Sequence, residues 1–149
     1  MTITGTVGDL LRLKPGNLWT IEPEKTVFEG IKLMAQKNIG ALPVLSGSKL
    51  VGMLSERDYT RKVALLGRSS KETSIGQILT TPVITATPTT TVVEALRLMT
   101  GKRVRHLPVL EGETLLGIVS IGDLVNFVIN AQQDTIHQLH SYISGQYPG

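Results

Sequence analysis

A chain of 149 residues that is 41% hydrophobic but only 4% aromatic has room for one compact domain, or two very small ones, around an aliphatic core. It has no cysteine, which excludes a disulfide framework, thiolate metal sites and thiol catalysis. No basic-then-apolar leader and no apolar run of membrane-spanning length is seen, so a cytoplasmic protein without membrane contact is expected. The net charge of +3 is unevenly laid out: up to Arg105 there are 15 Lys and Arg against 8 acids, and from His106 onward 4 acids and no Lys or Arg. Such asymmetry is either surface scatter or a basic face for a phosphate-bearing ligand. The interruption of the basic residues argues against nucleic acid.

In chain order, Val7-Gly8-Asp9-Leu10-Leu11 opens an apolar pattern, and Trp19–Ile21 is short, extended and closed by Pro23. Thr26-Val27-Phe28-Glu29 fits a capping box, in which the Thr hydroxyl accepts an early backbone N–H and the Glu reaches back to the cap. Val27, Ile31, Leu33, Met34 and Ile39 then mark the apolar face of a helix. Leu42–Leu45 reads as a strand, Ser46–Lys49 as a turn and Leu50–Leu54 as the returning strand. Pro43 lacks an N–H, so its strand is expected to pair on one side only or to lie at an edge. A helix follows over Ser55–Leu66, and Gly67–Thr73 is a polar connection.

The chain then repeats itself. Displaced by 65, Thr20–Tyr59 lies on Thr85–Leu124 without a gap and 17 of 40 positions are identical, too many for anything but a duplicated unit. The matches include Pro23/Pro88, Thr26/Thr91, Glu29/Glu94, Leu42–Leu45/Leu107–Leu110, Gly52/Gly117, Ser55/Ser120 and Asp58/Asp123. Ile75-Gly76-Gln77-Ile78-Leu79 answers Val7–Leu11 at a displacement of 68, so the first copy carries three extra residues around Lys14–Asn17. In the second copy Val83–Thr85 is the short extended piece, Thr91–Glu94 the capping box, and Val92, Ala95, Leu96, Leu98 and Met99 the apolar face. Leu107–Leu110, with Pro108, and Leu115–Val119 form the hairpin. The boundaries read as 7–66 for the first repeat, 67–73 for the linker, 74–131 for the second repeat and 132–149 for an extension and tail. The fold class is α/β (α+β), each repeat being β-α-β-β-α. A unit of about 60 residues is too small to cover its own sheet, so the repeats are expected to stack sheet to sheet with pseudo-twofold symmetry. The last helix runs from Ser120 to about Ser144, with Leu124, Val125, Val128, Ile129, Ile136, Leu139 and Ile143 at helical spacing and Phe127 and Tyr142 adding bulk. That surplus of apolar surface serves either packing within the chain or a subunit contact.

Ser55-x-x-Asp58 and Ser120-x-x-Asp123 are the residues with chemical potential. Each is a plausible helix cap and nothing more. Each also suits a ligand, since an ionised Asp at a strand-to-helix turn is a pure acceptor for paired sugar hydroxyls, while a phosphate would lie toward basic side chains. Arg57, Arg61 and Lys62 follow the first turn, Lys102, Arg103, Arg105 and His106 precede the strand Leu107–Leu110, and Arg68 and Lys71 sit in the connection. Taken singly, each of these is an ordinary solvated charge. His106 is either a neutral hydrogen-bond donor or a phosphate contact. His137 and His140 lack a third ligand, so no metal site is expected. No nucleophile elbow, zinc-protease motif or Walker loop occurs, and the acids stand singly, so an enzyme is the weaker class.

The doubled Leu-Pro-Val-Leu and Gly-x-x-Ser-x-x-Asp set, over about Val7 to Ala131, resembles a tandem pair of CBS domains, the small repeat named from cystathionine β-synthase. The run Arg103-x-Arg105-His106-Leu107-Pro108-Val109 and the run Ser55-Glu56-Arg57-Asp58-Tyr59 resemble the stand-alone CBS-pair proteins of bacteria and plant organelles. The resemblance implies a non-catalytic regulatory module that binds AMP, ADP, ATP or NAD in clefts between repeats, with S-adenosylmethionine ranked behind them, and that signals energy or redox state to a regulated partner. It implies ribose contacts at Ser55, Asp58, Ser120 and Asp123. Adenine contacts would fall at Thr20, Ile21, Pro43, Thr85, Ala86 and Pro108. Phosphate contacts would fall at Arg57, Arg105 and His106, and secondarily at Arg61, Lys71 and Arg103. It also implies a homodimer. The two turns differ, because Gly40-Ala41 stands where the second repeat has Arg105-His106, and Glu56-Arg57 where it has Ile121-Gly122. The rival to all of this is a ligand-free dimerisation scaffold whose Ser-x-x-Asp motifs are only caps. Nucleic-acid binding ranks third.

Overall fold

The computed structural model describes residues 3–14, 16–79 and 81–143, with side chains as far as residue 132. The expected apolar positions Ile136, Leu139, Tyr142 and Ile143, the side chains of His137 and His140, and the helix end at Ser144 lie outside the described side chains or residues. The architecture is mixed α/β, with five α-helices and two two-stranded sheets among the described residues. No helix among them is long and apolar enough to cross a membrane.

The repeat is visible in the elements. In the first copy α2 (Val27–Lys37) is followed by the hairpin β1 (Ala41–Ser46) and β2 (Lys49–Ser55), then by α3 (Glu56–Tyr59). In the second, α4 (Val92–Lys102) precedes the hairpin β3 (His106–Glu111) and β4 (Thr114–Ser120), then α5 (Ile121–Ile143). Both capping boxes form: Thr26 Oγ1 accepts the Glu29 N–H at 3.1 Å and Thr91 Oγ1 accepts that of Glu94 at 3.0 Å, with each Glu reaching back to its cap. Both helices end on a left-handed residue, Asn38 at φ 55° and Arg103 at φ 55°. Asn tolerates that conformation better than Arg, so the second stop is the more strained. The hairpin turns pass through Gly47 and Gly112, whose φ of 64° and 63° glycine adopts without penalty.

Three local expectations are corrected. The first extended piece of each repeat is not a full strand but a single bridge residue, Ile21 beside Val44 and Ala86 beside Val109. The Ile21 N–H donates to the Pro43 carbonyl at 3.1 Å and the Ile21 carbonyl accepts the Leu45 N–H at 2.8 Å, and Ala86 does the same with Pro108 and Leu110 at 2.9 Å each. Continuing the parallel ladder would need an N–H on Pro43 or Pro108 in one direction and on Pro23 or Pro88 in the other, which proline lacks, so it stops at one residue. β1 thus pairs on both sides rather than one, and the missing N–H groups keep the second side one residue long. Lastly, the helix expected over Ser55–Leu66 is α-helical only through Tyr59, and Thr60–Ala64 is a π-helical turn.

The segment ahead of each repeat docks on the body of the other. Val7 and Gly8, opening α1 (Val7–Leu13), donate their N–H groups to the carbonyls of Thr90 and Pro88 at 2.8 and 2.9 Å. Ile75 and Gly76 donate to Lys25 and Pro23 at 2.9 Å each. These are the same two bonds in repeat-equivalent places. The exchange extends to the cores. Among the described residues, one compact unit gathers α1, Pro88–Leu107 and residues 119–143, and the other gathers Gly16–Thr87 with Pro108–Ile118. In the second of these units, Val27, Met34, Leu42, Val44, Leu54 and Val63 are buried together with the exchanged Ile75 and Ile78. In the first, Val92, Met99, Leu107, Val119 and Leu124 are buried, as are the exchanged Val7 and Leu10. Burial of a Leu, Val or Met side chain contributes about 1.5–3 kcal/mol, so each docked segment is part of a core rather than an appendage.

Candidate functional site

The two Ser-x-x-Asp turns sit where the second strand of each hairpin enters its helix. At the first, Ser55 Oγ accepts the Asp58 N–H at 3.0 Å, and Asp58 Oδ2 accepts both the Ser55 N–H at 3.0 Å and the Ser55 hydroxyl at 2.9 Å. At the second, Ser120 Oγ accepts the Asp123 N–H at 3.0 Å and Asp123 Oδ2 accepts the Ser120 N–H at 2.8 Å. Both are reciprocal capping boxes. The residue after each serine is also tied down: Glu56 N–H donates to the Gly40 carbonyl at 3.1 Å and Ile121 N–H to that of Arg105 at 2.9 Å. Two early N–H groups of each helix are therefore already used, so an anion would find little to bind at the helix start itself. What each turn does offer is a fixed, half-buried carboxylate.

A lysine faces each carboxylate, and the two come from different elements. Lys62, in the π-helical turn, places Nζ 3.6 Å from Asp58 Oδ1 while donating to the Ile78 carbonyl at 2.9 Å. The repeat-equivalent position on α5 is Phe127, whose ring lies against Gly5. The cation of the second turn is instead Lys14, which donates to Asp123 Oδ2 at 2.7 Å. Burial alone would raise the Asp123 pKa, but the Lys14 ammonium and the Ser120 N–H and hydroxyl together hold it below the ordinary carboxylate range. Sequence reasoning did not single out Lys14. The signal available was the three-residue excess around Lys14–Asn17, together with the absence of a helical lysine at position 127.

The other expected residues fall into small groups. Ile21, preceded by exposed Thr20, bridges to Val44 next to buried Pro43, and buried Ala86, preceded by Thr85, bridges to Val109 next to buried Pro108. Arg57 and Arg61 are exposed on the turns after Ser55. Arg105 is exposed and contributes its carbonyl to the second turn, His106 opens β3 half-buried, and Arg103 is the exposed stop of α4. Lys71 is held over the Phe28 ring at 4.9 Å, a cation–π contact that accounts for its position without a ligand. Among the described residues no group of three His, Asp or Glu is arranged to hold a metal ion.

Comparison with known proteins converges on one family. The CBS-domain family model matches residues 7–65 and again 75–130. The mitochondrial CBS domain-containing protein CBSX3 of Arabidopsis thaliana is 39% identical over 95% of this chain and 73% of its own length. The solved structure of a protein with CBS domains from Burkholderia ambifaria MC40-6 is 46% identical, covers 86% of this chain and 96% of its own, and superposes with a TM-score of 0.82. The CBS domain pair of protein MJ0100, solved with 5'-methylthioadenosine and S-adenosyl-L-methionine, is 25% identical over 83% of this chain and 95% of its own, with a TM-score of 0.72. Matched twice, over both halves of its duplication, the chain belongs to the CBS-domain family as a tandem pair of repeats.

Proposed function

We propose that this CBS pair is a regulatory module without catalytic activity that binds an adenine nucleotide, AMP, ADP, ATP or NAD, and passes its occupancy to a partner protein. The observation carrying this reading is the doubled turn with its carboxylate held half-buried and its cation alongside. Paired sugar hydroxyls suit Asp58 and Asp123, with Ser55 and Ser120 beside them, and a phosphate suits the neighbouring bases. Arg57 and Arg61 follow the first turn, Arg103 and Arg105 precede β3, and His106 opens it. A purine suits the backbone around Thr20–Ile21 and Thr85–Ala86, next to Pro43 and Pro108, where the bridges at Ile21 and Ala86 hold the chain. The adenosine moiety shared by both MJ0100 ligands supports this chemistry, since only the substituent on the ribose differs from the nucleotides named.

Calorimetry with AMP and NAD tests it. Asp123→Ala is expected to weaken binding at its turn at least about tenfold, as loss of a charge-assisted hydrogen bond does, with the fold retained. Unchanged affinity for both ligands would remove Asp123 from the ribose role. A second reading is favoured by the capping boxes themselves, which satisfy both carboxylates without any ligand. In that case the chain is a dimerisation scaffold, and no nucleotide raises its melting temperature. A binder gains stability as ligand exceeds Kd.

Self-association belongs to the same proposal. Ile121, Val125 and Ile129 recur at every fourth position of α5 and stay 39–45% exposed, an apolar stripe along one face. Val125→Glu with Ile129→Glu is expected to convert a dimer into a monomer in light scattering. A double variant that keeps the mass of the unaltered protein would place any interface elsewhere.

A further inference from the structure

Lys14 is a cation at the second turn that the duplication does not explain. It lies in the three-residue excess of the first copy, yet its ammonium reaches the carboxylate of the second turn at 2.7 Å. It occupies the oxygen, Oδ2, that also accepts the Ser120 N–H at 2.8 Å. A sugar hydroxyl approaching that oxygen must displace the ammonium. The pair is open enough for that exchange, with 38% of the Lys14 and 26% of the Asp123 side-chain surface in solvent. Exposed pairs of this kind are weak. The displaced ammonium, on a long flexible stem, stays within a few ångströms of whatever the sugar carries. A phosphate ester gives it a new partner, and a bare nucleoside gives it none.

We propose that Lys14 is a specificity residue of the second turn that selects phosphorylated nucleosides over unphosphorylated ones, by exchanging Asp123 for the ligand's phosphate. The proposal rests on the nucleotide reading above. It assigns the two turns different cations, Lys62 from within its own repeat and Lys14 from the segment ahead of the first. At the first turn Lys62 stands farther from its carboxylate, at 3.6 Å, and donates to the Ile78 carbonyl. The exchange is assigned to the second turn, where the ammonium lies directly on the carboxylate at 2.7 Å.

The test is calorimetry with adenosine and AMP on an Asp58→Ala background, which leaves the second turn to report. Lys14→Met should bind AMP roughly tenfold more weakly, the loss of a charge-assisted contact. The same variant should bind adenosine as well as before or a few-fold better, since no ion pair then has to be broken. The AMP-to-adenosine preference thus falls about tenfold or more, and Lys14→Arg should restore most of it. Because the side chain is exposed, ligand-free melting of Lys14→Met is expected near that of the background and serves as the control for folding. A preference unchanged by Lys14→Met overturns the proposal while leaving nucleotide binding intact. If the background binds neither ligand but the unaltered protein binds AMP, the second turn is not a site and the proposal falls with it. If the unaltered protein binds neither, the nucleotide reading itself fails.

Discussion

Truncating Leu54 to alanine is expected to cost about 2–5 kcal/mol of folding stability, the range for large-to-small changes in a tight core. Leu54 is fully buried on β2, one residue before Ser55, within the cluster of Val27, Met34, Leu42, Val44, Val63, Ile75 and Ile78. Its room is created by Gly30 on α2: a Cβ at that position would stand 2.5 Å from Leu54 Cδ2. The repeat makes the size argument for itself. Gly30 and Leu54 correspond to Ala95 and Val119, so one position grows by a methyl group where the other shrinks by a methylene. A cavity left at residue 54 therefore has a glycine on one side that cannot fill it. Urea denaturation measures the loss, and Leu66→Ala is the comparison, because Leu66 is 67% exposed and its truncation should stay within about 0.5 kcal/mol. A loss under about 1 kcal/mol at residue 54 would mean that β2 is not clamped by this core. The effect reaches the candidate site, because the Ser55–Asp58 turn is the continuation of that strand and Gly40, whose carbonyl accepts the Glu56 N–H, immediately precedes its partner.

What the sequence made legible was whatever the duplication states twice. The capping boxes at Thr26/Glu29 and Thr91/Glu94 and the turns at Ser55/Asp58 and Ser120/Asp123 form where the pattern puts them, because each is decided within four residues of chain, and the hairpins join apolar runs adjacent in sequence. The features that escaped it depend on partners far along the chain. Pro43 and Pro108 signal limited pairing in the sequence, but the reduction of the first strand to one bridge depends on Ile21 and Ala86 lying beside them in space. The π-helical turn at Thr60–Ala64 puts Lys62 within reach of both Asp58 and Ile78, and its sequence differs little from that of an ordinary helix. Lys14 was hidden for the opposite reason: a residue without a repeat counterpart carries no internal comparison. The exchange of docking segments was the hardest to foresee, since Val7–Leu11 and Ile75–Leu79 resemble each other equally well whichever repeat each one packs against.

That exchange yields a paired prediction, because the two docking glycines are equivalent in sequence but not in space. Gly8 gives its N–H to the Pro88 carbonyl at 2.9 Å, and a Cβ there would lie 2.8 Å from the same oxygen and 3.2 Å from Pro88 Cβ. The obstacle is backbone, which cannot swing aside as a side chain can. Gly8→Ala should therefore push α1 off its seat and cost about 2–3 kcal/mol, the upper part of the overpacking range with a weakened hydrogen bond added. Gly76 makes the matching bond to the Pro23 carbonyl, but a Cβ there meets that oxygen at 3.4 Å, an ordinary contact. Gly76→Ala should be neutral, or stabilising by up to about 1 kcal/mol through the lower entropy of the unfolded chain. Paired melting curves measure the contrast, and equal effects at the two positions would mean that α1 does not hold the close seat on Pro88. Since α1 runs directly into Lys14, the costly variant should also loosen the ion pair with Asp123, whereas Gly76→Ala leaves it in place. The one substitution thus disturbs both the core that receives the exchanged helix and the cation that this helix delivers to the second turn.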